Sequence, residues 1–585
     1  MLLRENLVKV SHWISFLRYI VLIIFGLLLI FAFPSFNYYL IAWVGLIPLY
    51  FLAKNLRWHK AWLAGYVWGF AWSVASCFWL REIEPFIPFA ISLILACYYA
   101  FWAMGVSIVR RYLFIPVNIQ LDGFESVKKY YKTHNFYFIE CLSALFLASW
   151  WCVLEWLRTW LFTGFSWNLL AVTQWKEYPI IQIASYTGIY GISFIIVFFN
   201  IALGDAILRY YSILKNNYKK GLRPVSLYLA ILLLALSFLF GVRQINKYQK
   251  VEKGLKPFSA AVVEGNIPQC RLYNAQQANH ALDVYIRYSN DILLFKPDIL
   301  IWPESAVPQP LRGGGALSEK YRKELGSLLK KYRVPILLGT TDFGFGKPGD
   351  TSIYNSALYI SGNGSIIDKY NKIHIVPWGE YTPFENLFPF NYFYPWIKMT
   401  FGMGRSITAG TKNTIFDLTK DVRGAVLICY EDVFPEIARD HVLAGANLLI
   451  LITNDAWYPT SDEPEQHLAQ AVFRAVENGR IMVRVGNSAG TCVVQPTGAI
   501  VDSLFHKLNT ETGRLMPDPT KRGAGTGIFN LMIQKNPPLT FYTKYGNVFI
   551  LFCSIISVIG FLWFLYQWKE KKRLLLNAVS EPEQQ

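Results

Sequence analysis

Charge is scarce in this sequence. Asp, Glu, Lys and Arg make up only 16% of its 585 residues while apolar residues reach 54%, too apolar a balance for an ordinary soluble fold. Negative charge is scarcer still, with 39 acidic against 56 basic residues and a net charge of +17. A basic excess can mark a nucleic-acid binder, but no DNA- or RNA-binding motif is present and that class is set aside. Cysteines lack metal-ligand spacing. Five of the eight (Cys77, Cys97, Cys141, Cys152, Cys553) fall in apolar runs, where a small hydrophobe is the default role. Cys270, Cys429 and Cys492 lie in a more polar region, and a Cys270–Cys492 disulfide stays open with nothing local in its favour.

The apolar residues gather in runs near 19–33, 37–53, 61–80, 86–108, 138–160, 179–204, 225–242 and 546–567, about eight of spanning length. No small-residue cleavage site follows the first, which reads as a span and not a signal peptide. Basic residues fill alternate loops: Lys54, Arg57 and Lys60; Arg110, Arg111, Lys128, Lys129 and Lys132; Arg209, Lys215, Lys219, Lys220 and Arg223; and Lys569, Lys571, Lys572 and Arg573 after the last run. The loops at 34–37 and 82–88 carry little positive charge. By the positive-inside rule the basic loops and both termini are cytoplasmic, and the region from about 246 to 543 is exported. The expected division is a membrane domain over 1–245, an exported domain over 246–543, a final span over 544–568 and a cytoplasmic tail over 569–585. Glu155 and Arg158 stand one helical turn apart inside a span, as a structural ion pair or a substrate contact.

From 258 onward the pattern changes. SAAVVEGN, DILIWPE, VPILLGTT, NSALYIS, GSIIDKY, GAVLICYE, NLLILITND, IMVRVGNS and TCVVQP read as strands. Helices are expected over 275–293, 318–332, 433–443 and 465–479, and hairpin turns at Gly362-Asn363-Gly364 and Pro496-Thr497-Gly498. Such alternation predicts one α/β domain.

Three of these strands end in polar residues: Glu304 after DILIWP, Cys429 after GAVLI, and Asn454-Asp455 after NLLILIT. Strand ends are where α/β folds present ligand-binding and reactive groups. Cys429 alone could be buried filler. With Glu304 as base and Lys372 as cation it becomes a nucleophile: the carboxylate takes the thiol proton, and the ammonium lowers the thiol pKa and holds an oxyanion. The backbone N–H of Tyr430 is the natural second oxyanion donor. This chemistry requires no metal and no cofactor.

The motifs WPESAVP (302–308), YNKIHIVPWGEYTPF (370–384) and ICYED (428–432) resemble, in that order, the Glu-Lys-Cys triad of the nitrilase superfamily. Together with EWLRTWLFTGFSW (155–167), EGNIPQ (264–269), NDAWY (454–458), HLAQAVFRAVENGR (467–480) and the flanking spans, nearly the whole chain resembles the apolipoprotein N-acyltransferase family. That resemblance implies an α-β-β-α sandwich on an eight-helix bundle in a bacterial inner membrane, acting as a monomer. It implies a phospholipid acyl donor and a diacylglyceryl-cysteine apolipoprotein acceptor. The reaction would be ping-pong through a Cys429 thioester, with Glu304 as base and Lys372 on the oxyanion. Glu380 would orient both, and Tyr430, Glu431 and Trp457 match positions that line the site; Glu431 alternatively reads as a solvated first-turn residue. Departures stand at Tyr273, the nearest aromatic where the family has tryptophan, at Ser166 where it has proline, and at Pro459 where it has glycine. The aromatic, proline-rich arm 383–403 is expected on the outer leaflet, lining a lateral entry for acyl chains.

Two rivals remain. A membrane-tethered amidase would use the same triad on a small amide, but such a substrate has no need of seven preceding spans and an aromatic arm. A transporter or scaffold with a decayed domain fits poorly with an intact triad and spans so poor in charge.

Overall fold

The computed structural model describes residues 16–112, 136–216, 223–250, 253–269, 275–344, 352–384, 387–388, 391–392, 395, 406–509 and 513–580. Tyr273, Cys270 and most of the arm 383–403 lie outside the described residues. The chain divides into two compact units, one of residues 1–174, 189–240 and 547–585, the other of residues 175–188 and 241–546.

The first unit is helical. It contains α1 (Trp58–Ser76), α2 (Ile87–Tyr112), α3 (Phe136–Arg158) and α4 (Tyr190–Asn216), with most of α5 (Val225–Gln249) and the C-terminal helix Val548–Ser580. Among the described residues, five helices are long and apolar enough to cross a membrane: those beginning at Ile87, Phe138, Tyr190, Val225 and Val548. The run 37–53 is not one continuous helix. It breaks into a 3-10 turn Tyr39–Trp43 and a short helix Ile47–Ala53. Pro48, near the start of the second piece, lacks the N–H that a continuous helix would need there.

The run 179–204 also differs from its hydropathy. Its first part forms two short helices, Tyr178–Ile181 and Ala184–Thr187, ended by Gly188 at φ 66°, and α4 begins only at Tyr190. Residues 175–188 belong to the second unit, where Gln182 donates to the Thr497 carbonyl at 2.8 Å and Lys176 pairs with Glu465 at 3.2 Å. Apolar content alone cannot separate a span from a buried cover.

The second unit is built on two six-stranded sheets. The first has the order β14-β1-β2-β3-β4-β5, from β1 (Leu255–Glu264), β2 (Ile299–Ile301), β3 (Ile336–Phe343), β4 (Ile353–Ile360), β5 (Ile366–Asn371) and β14 (Gly525–Gln534). The second runs β11-β10-β9-β8-β7-β6, from β6 (Ile415–Asp417), β7 (Arg423–Ile428), β8 (Leu448–Thr453), β9 (Ile481–Gly486), β10 (Cys492–Val494) and β11 (Ile500–Ser503). A small hairpin joins β12 (His506–Leu508) to β13 (Leu515–Pro517).

Read from β14 and from β6, both sheets pair antiparallel, parallel, parallel, antiparallel, antiparallel. They are topological twins. Inner-face residues of both, among them Val262, Ile301, Leu337, Val426, Ile450 and Val483, form one core. On β1 the alternate residues Ala261 and Val263 turn outward to α6 (Ala275–Ile292) and α7 (Ala316–Tyr332), the two-residue alternation that strands dictate. α8 (Pro435–Leu443) and α9 (Glu463–Asn478) cover the second sheet. The result is the expected α-β-β-α arrangement. Cys492 is a buried, free thiol on β10.

Candidate active site

Strand ends build the site. After β2 the chain enters Trp302-Pro303-Glu304, fixed on one side by Trp302 Nε1 donating to Ser289 Oγ at 3.0 Å and stacking on Tyr285. On the other side it lies against Gly339 of β3, where a Cβ would come within 2.5 Å of the Pro303 carbonyl and 2.6 Å of Glu304 Cα. Only glycine permits that approach. Cys429 follows β7 with a left-handed φ of 51°, a conformation that costs a non-glycine residue free energy and gathers at functional sites. It opens a 3-10 turn, Cys429–Val433, that ends the strand.

Lys372 stands just past β5, its N–H bonded to the Asn355 carbonyl at 2.8 Å. Its Nζ lies 3.1 Å from Glu380 and 3.7 Å from Glu304, and its side chain is 1% exposed. Asn355 ties the two carboxylates together, donating from Nδ2 to Glu304 Oε1 at 2.7 Å and to Glu380 Oε1 at 2.8 Å. Glu380 also accepts from the Val376 N–H at 2.7 Å. Cys429 stands close enough to Glu304 and Lys372 that both act on its thiol. Four expected residues, Glu304, Lys372, Glu380 and Cys429, therefore meet.

Burial sets the charges. It pushes the Glu304 carboxyl above the usual range, against the nearby Lys372 ammonium. It pushes the Cys429 thiol well up, and Glu304 adds to this while Lys372 opposes it. Burial works against the Lys372 cation, yet Glu380 and Glu304 outweigh it and keep the ammonium charged. The resting site thus holds a neutral thiol beside a carboxyl with raised proton affinity and a fixed cation.

Glu431 is neither solvated nor open to a ligand. It is fully buried, accepting from Tyr370 Oη (2.7 Å), Ile373 N (2.6 Å), His374 N (3.1 Å) and Ile428 N (2.7 Å). These bonds pin the segment carrying Lys372 to the turn carrying Cys429. Tyr430 is buried beside Phe434. Trp457 ends the turn Asp455–Trp457 and is 38% exposed. A cleft of about 470 Å³ lined by Ile375, Tyr381, Thr382, Phe384, Leu387, Ser406 and Ile407 lies along the segment that carries Glu380, but none of the triad lines it. In the other unit, Arg158 donates to Tyr99 Oη and the Trp167 carbonyl, both at 2.9 Å, while Glu155 accepts from Leu170 N at 2.8 Å. No Glu155–Arg158 ion pair forms within 4.0 Å.

A second polar cluster follows β8. Asp455 accepts from Thr453 Oγ1 (2.8 Å), His467 Nδ1 (3.0 Å) and Arg484 Nη2 (2.5 Å), and His467 Nε2 reaches Asp432 at 2.9 Å. With both ring nitrogens on carboxylates His467 is an imidazolium, its pKa held well up by Asp432 and Asp455 against the effect of burial. Asp455, Glu463 and His467 bring their donor atoms within 4.8 Å of one another, but Arg484 and the imidazolium already supply the positive charge there. On α9, Arg474 and Glu477 form a buried pair at 2.8 Å. Asn355 and His467 went unassigned in the sequence. A lone polar residue opening a strand and a histidine on a helix both look like surface there.

Similarity to known proteins follows the same division. Residues 25–202 match the family described as apolipoprotein N-acyltransferase N-terminal domain, and residues 259–512 match carbon-nitrogen hydrolase. An apolipoprotein N-acyltransferase of Geobacter metallireducens is 29% identical over 93% of this chain and 95% of its own. One from Rickettsia prowazekii is 28% identical over 87% of this chain and 90% of its own. Among solved structures, an amidase from Nesterenkonia sp. aligns with 51% of this chain and 96% of its own, at 16% identity and a TM-score of 0.32.

Proposed function

The chain belongs to the apolipoprotein N-acyltransferase family, and from that premise we propose how its residues divide the reaction. The enzyme moves an acyl chain from a membrane phospholipid to the α-amine of a diacylglyceryl-cysteine lipoprotein. Cys429 Sγ attacks the phospholipid ester carbonyl while its proton passes to Glu304. The tetrahedral oxyanion sits against the Lys372 ammonium and the Tyr430 N–H. Collapse forms the thioester and expels the lysophospholipid oxygen, which takes the proton back from Glu304. The lipoprotein amine then attacks the thioester, Glu304 removes its proton, and the thiol is restored as the amide forms.

The observation that carries this reading is the meeting of Glu304, Lys372 and Cys429 in one site, with the Lys372 ammonium 3.7 Å from Glu304 and both acting on the thiol. Glu380 positions Lys372, Glu431 positions both strand-end turns, and Trp457 and Tyr273 contact substrate. The exposed aromatics Phe384, Phe388 and Tyr392 suit a lipid-facing arm, and the cleft beside them suits an acyl chain. About eight spans, cytoplasmic termini and an exported α/β region in a bacterial inner membrane complete the reading, with boundaries near 245, 543 and 568 and a monomer as the working state. The grouping of residues 175–188 with the α/β unit supports this orientation, because both fall on the same side by loop charge.

The test is mass spectrometry of the full-length protein incubated with phospholipid and no acceptor. A fatty-acyl mass on the Cys429 peptide, absent in Cys429→Ala and discharged by a diacylated lipopeptide, is the expected result. Discharge by water at the same rate would favour a hydrolase, and no adduct on folded protein would remove Cys429 as the nucleophile.

A further inference from the structure

Beside the nucleophile stands a hydroxyl that the reaction scheme does not use. β7 and β8 are parallel neighbours in register Ile428↔Ile452, so the next residues, Cys429 and Thr453, lie side by side. Thr453 is fully buried, and its hydroxyl stands close enough to the sulfur to oppose the upward push of burial on the Cys429 thiol. Its Oγ1 also donates to Asp455 Oδ1 at 2.8 Å. That carboxylate is served by two cations besides, Arg484 at 2.5 Å and the His467 imidazolium at 3.0 Å.

We propose that Thr453 is a further catalytic residue, a hydroxyl that turns from Asp455 to Cys429 Sγ when negative charge develops on the sulfur. A hydroxyl carries one proton and rotates to its best acceptor. In the resting enzyme the sulfur is a neutral thiol, a weak acceptor, and the proton points to Asp455. As Glu304 withdraws the thiol proton, the sulfur becomes an anion and the stronger acceptor. Asp455 can release the hydroxyl at little cost because Arg484 and His467 still compensate its charge. No proton leaves Thr453; a hydrogen bond is exchanged, first on acylation and again when the thiolate leaves in the second half-reaction. The buried cluster around Asp455 then has a task in catalysis, holding a donor in reserve against the sulfur.

This inference rests on Cys429 being the nucleophile. The experiment compares full-length Thr453→Val, Thr453→Ala and Thr453→Ser with wild type by single-turnover thioester formation and by the pH dependence of Cys429 alkylation with iodoacetamide. The groups facing the sulfur are Glu304 from the end of β2, Lys372 beyond β5, and Asp455 and Tyr458 beyond β8, and none of the four is replaced in any variant. Loss of the donor is expected to raise the alkylation midpoint by about one pH unit and slow thioester formation about tenfold in Val and Ala, with Ser close to wild type. Equal profiles in all four proteins would overturn the proposal. So would failure of both Val and Ala to fold, which would mark the hydroxyl as structural. If wild type forms no thioester, the fault lies in the assignment of Cys429 itself.

Discussion

Two buried polar clusters lie at strand ends of the α/β unit, and they are finished differently. Around Asp455 charge is compensated within the cluster: Asp455 receives Thr453, His467 and Arg484, and the imidazolium spans Asp455 and Asp432. Around Cys429 the bonding is left short. Glu304 receives one amide donor, Asn355, and faces Lys372 across 3.7 Å and the thiol beside it. Within that region Glu431 marks the contrast, for it is as buried as Glu304 but accepts four bonds. Glu431 spends its oxygens on holding two segments together, whereas Glu304 keeps an oxygen free for the thiol proton.

Removing the proposed nucleophile gives the largest expected effect. Cys429→Ala should abolish the acyl adduct and lower turnover by at least ~10⁴-fold without unfolding the protein, measured by lipopeptide acylation. Glu304→Gln keeps the shape and removes the base, with an expected loss of about 10³-fold in thioester formation.

The closed cluster should fail by unfolding. His467→Leu leaves Asp432 and Asp455 buried without their shared cation and should cost about 3–5 kcal/mol, read by thermal or denaturant unfolding in detergent. Because the folded His467 pKa is raised, its contribution is fully present below the unfolded value near 6.5 and is lost as pH rises through the folded value. The variant should lack that part of the pH dependence.

Glu431→Gln should fall between these classes. The glutamate carboxyl is pushed up to about 7 by burial, against its four donors, and the amide offers one acceptor oxygen in place of two. About 2 kcal/mol of stability should go, together with activity, since Lys372 loses its anchor. The smallest effect is expected at half-exposed Trp457, where Ala should raise KM by roughly three- to tenfold and leave kcat nearly unchanged.

Much of the α/β unit was legible because strands and helices there follow their own periods. GAVLI, NLLILIT and IMVRV became β7, β8 and β9, and the polar residues after the first two runs drew attention to Cys429 and Asp455. The twin sheets were not legible, since pairing order leaves no trace in composition. Nor was β14, whose glycine-rich start reads as a turn. Hydropathy recognised apolar runs but not the breaks within them, at Pro48 in the run 37–53 and at Gly188 in the run 179–204. Glu431 resembled a first-turn helix residue because its four donors come from Ile428 and from the distant segment Tyr370–His374.

Glu304, kept short of partners, is the proposed base for Cys429. The most direct measurement is the single-turnover rate of thioester formation across pH 4 to 9 in wild type and Glu304→Gln. The rate should rise with pH through a midpoint above the ordinary carboxylate value of about 4.3, because the base form is required and burial raises the Glu304 pKa. That rise should vanish in the variant. An unchanged pH limb in Glu304→Gln would contradict the account.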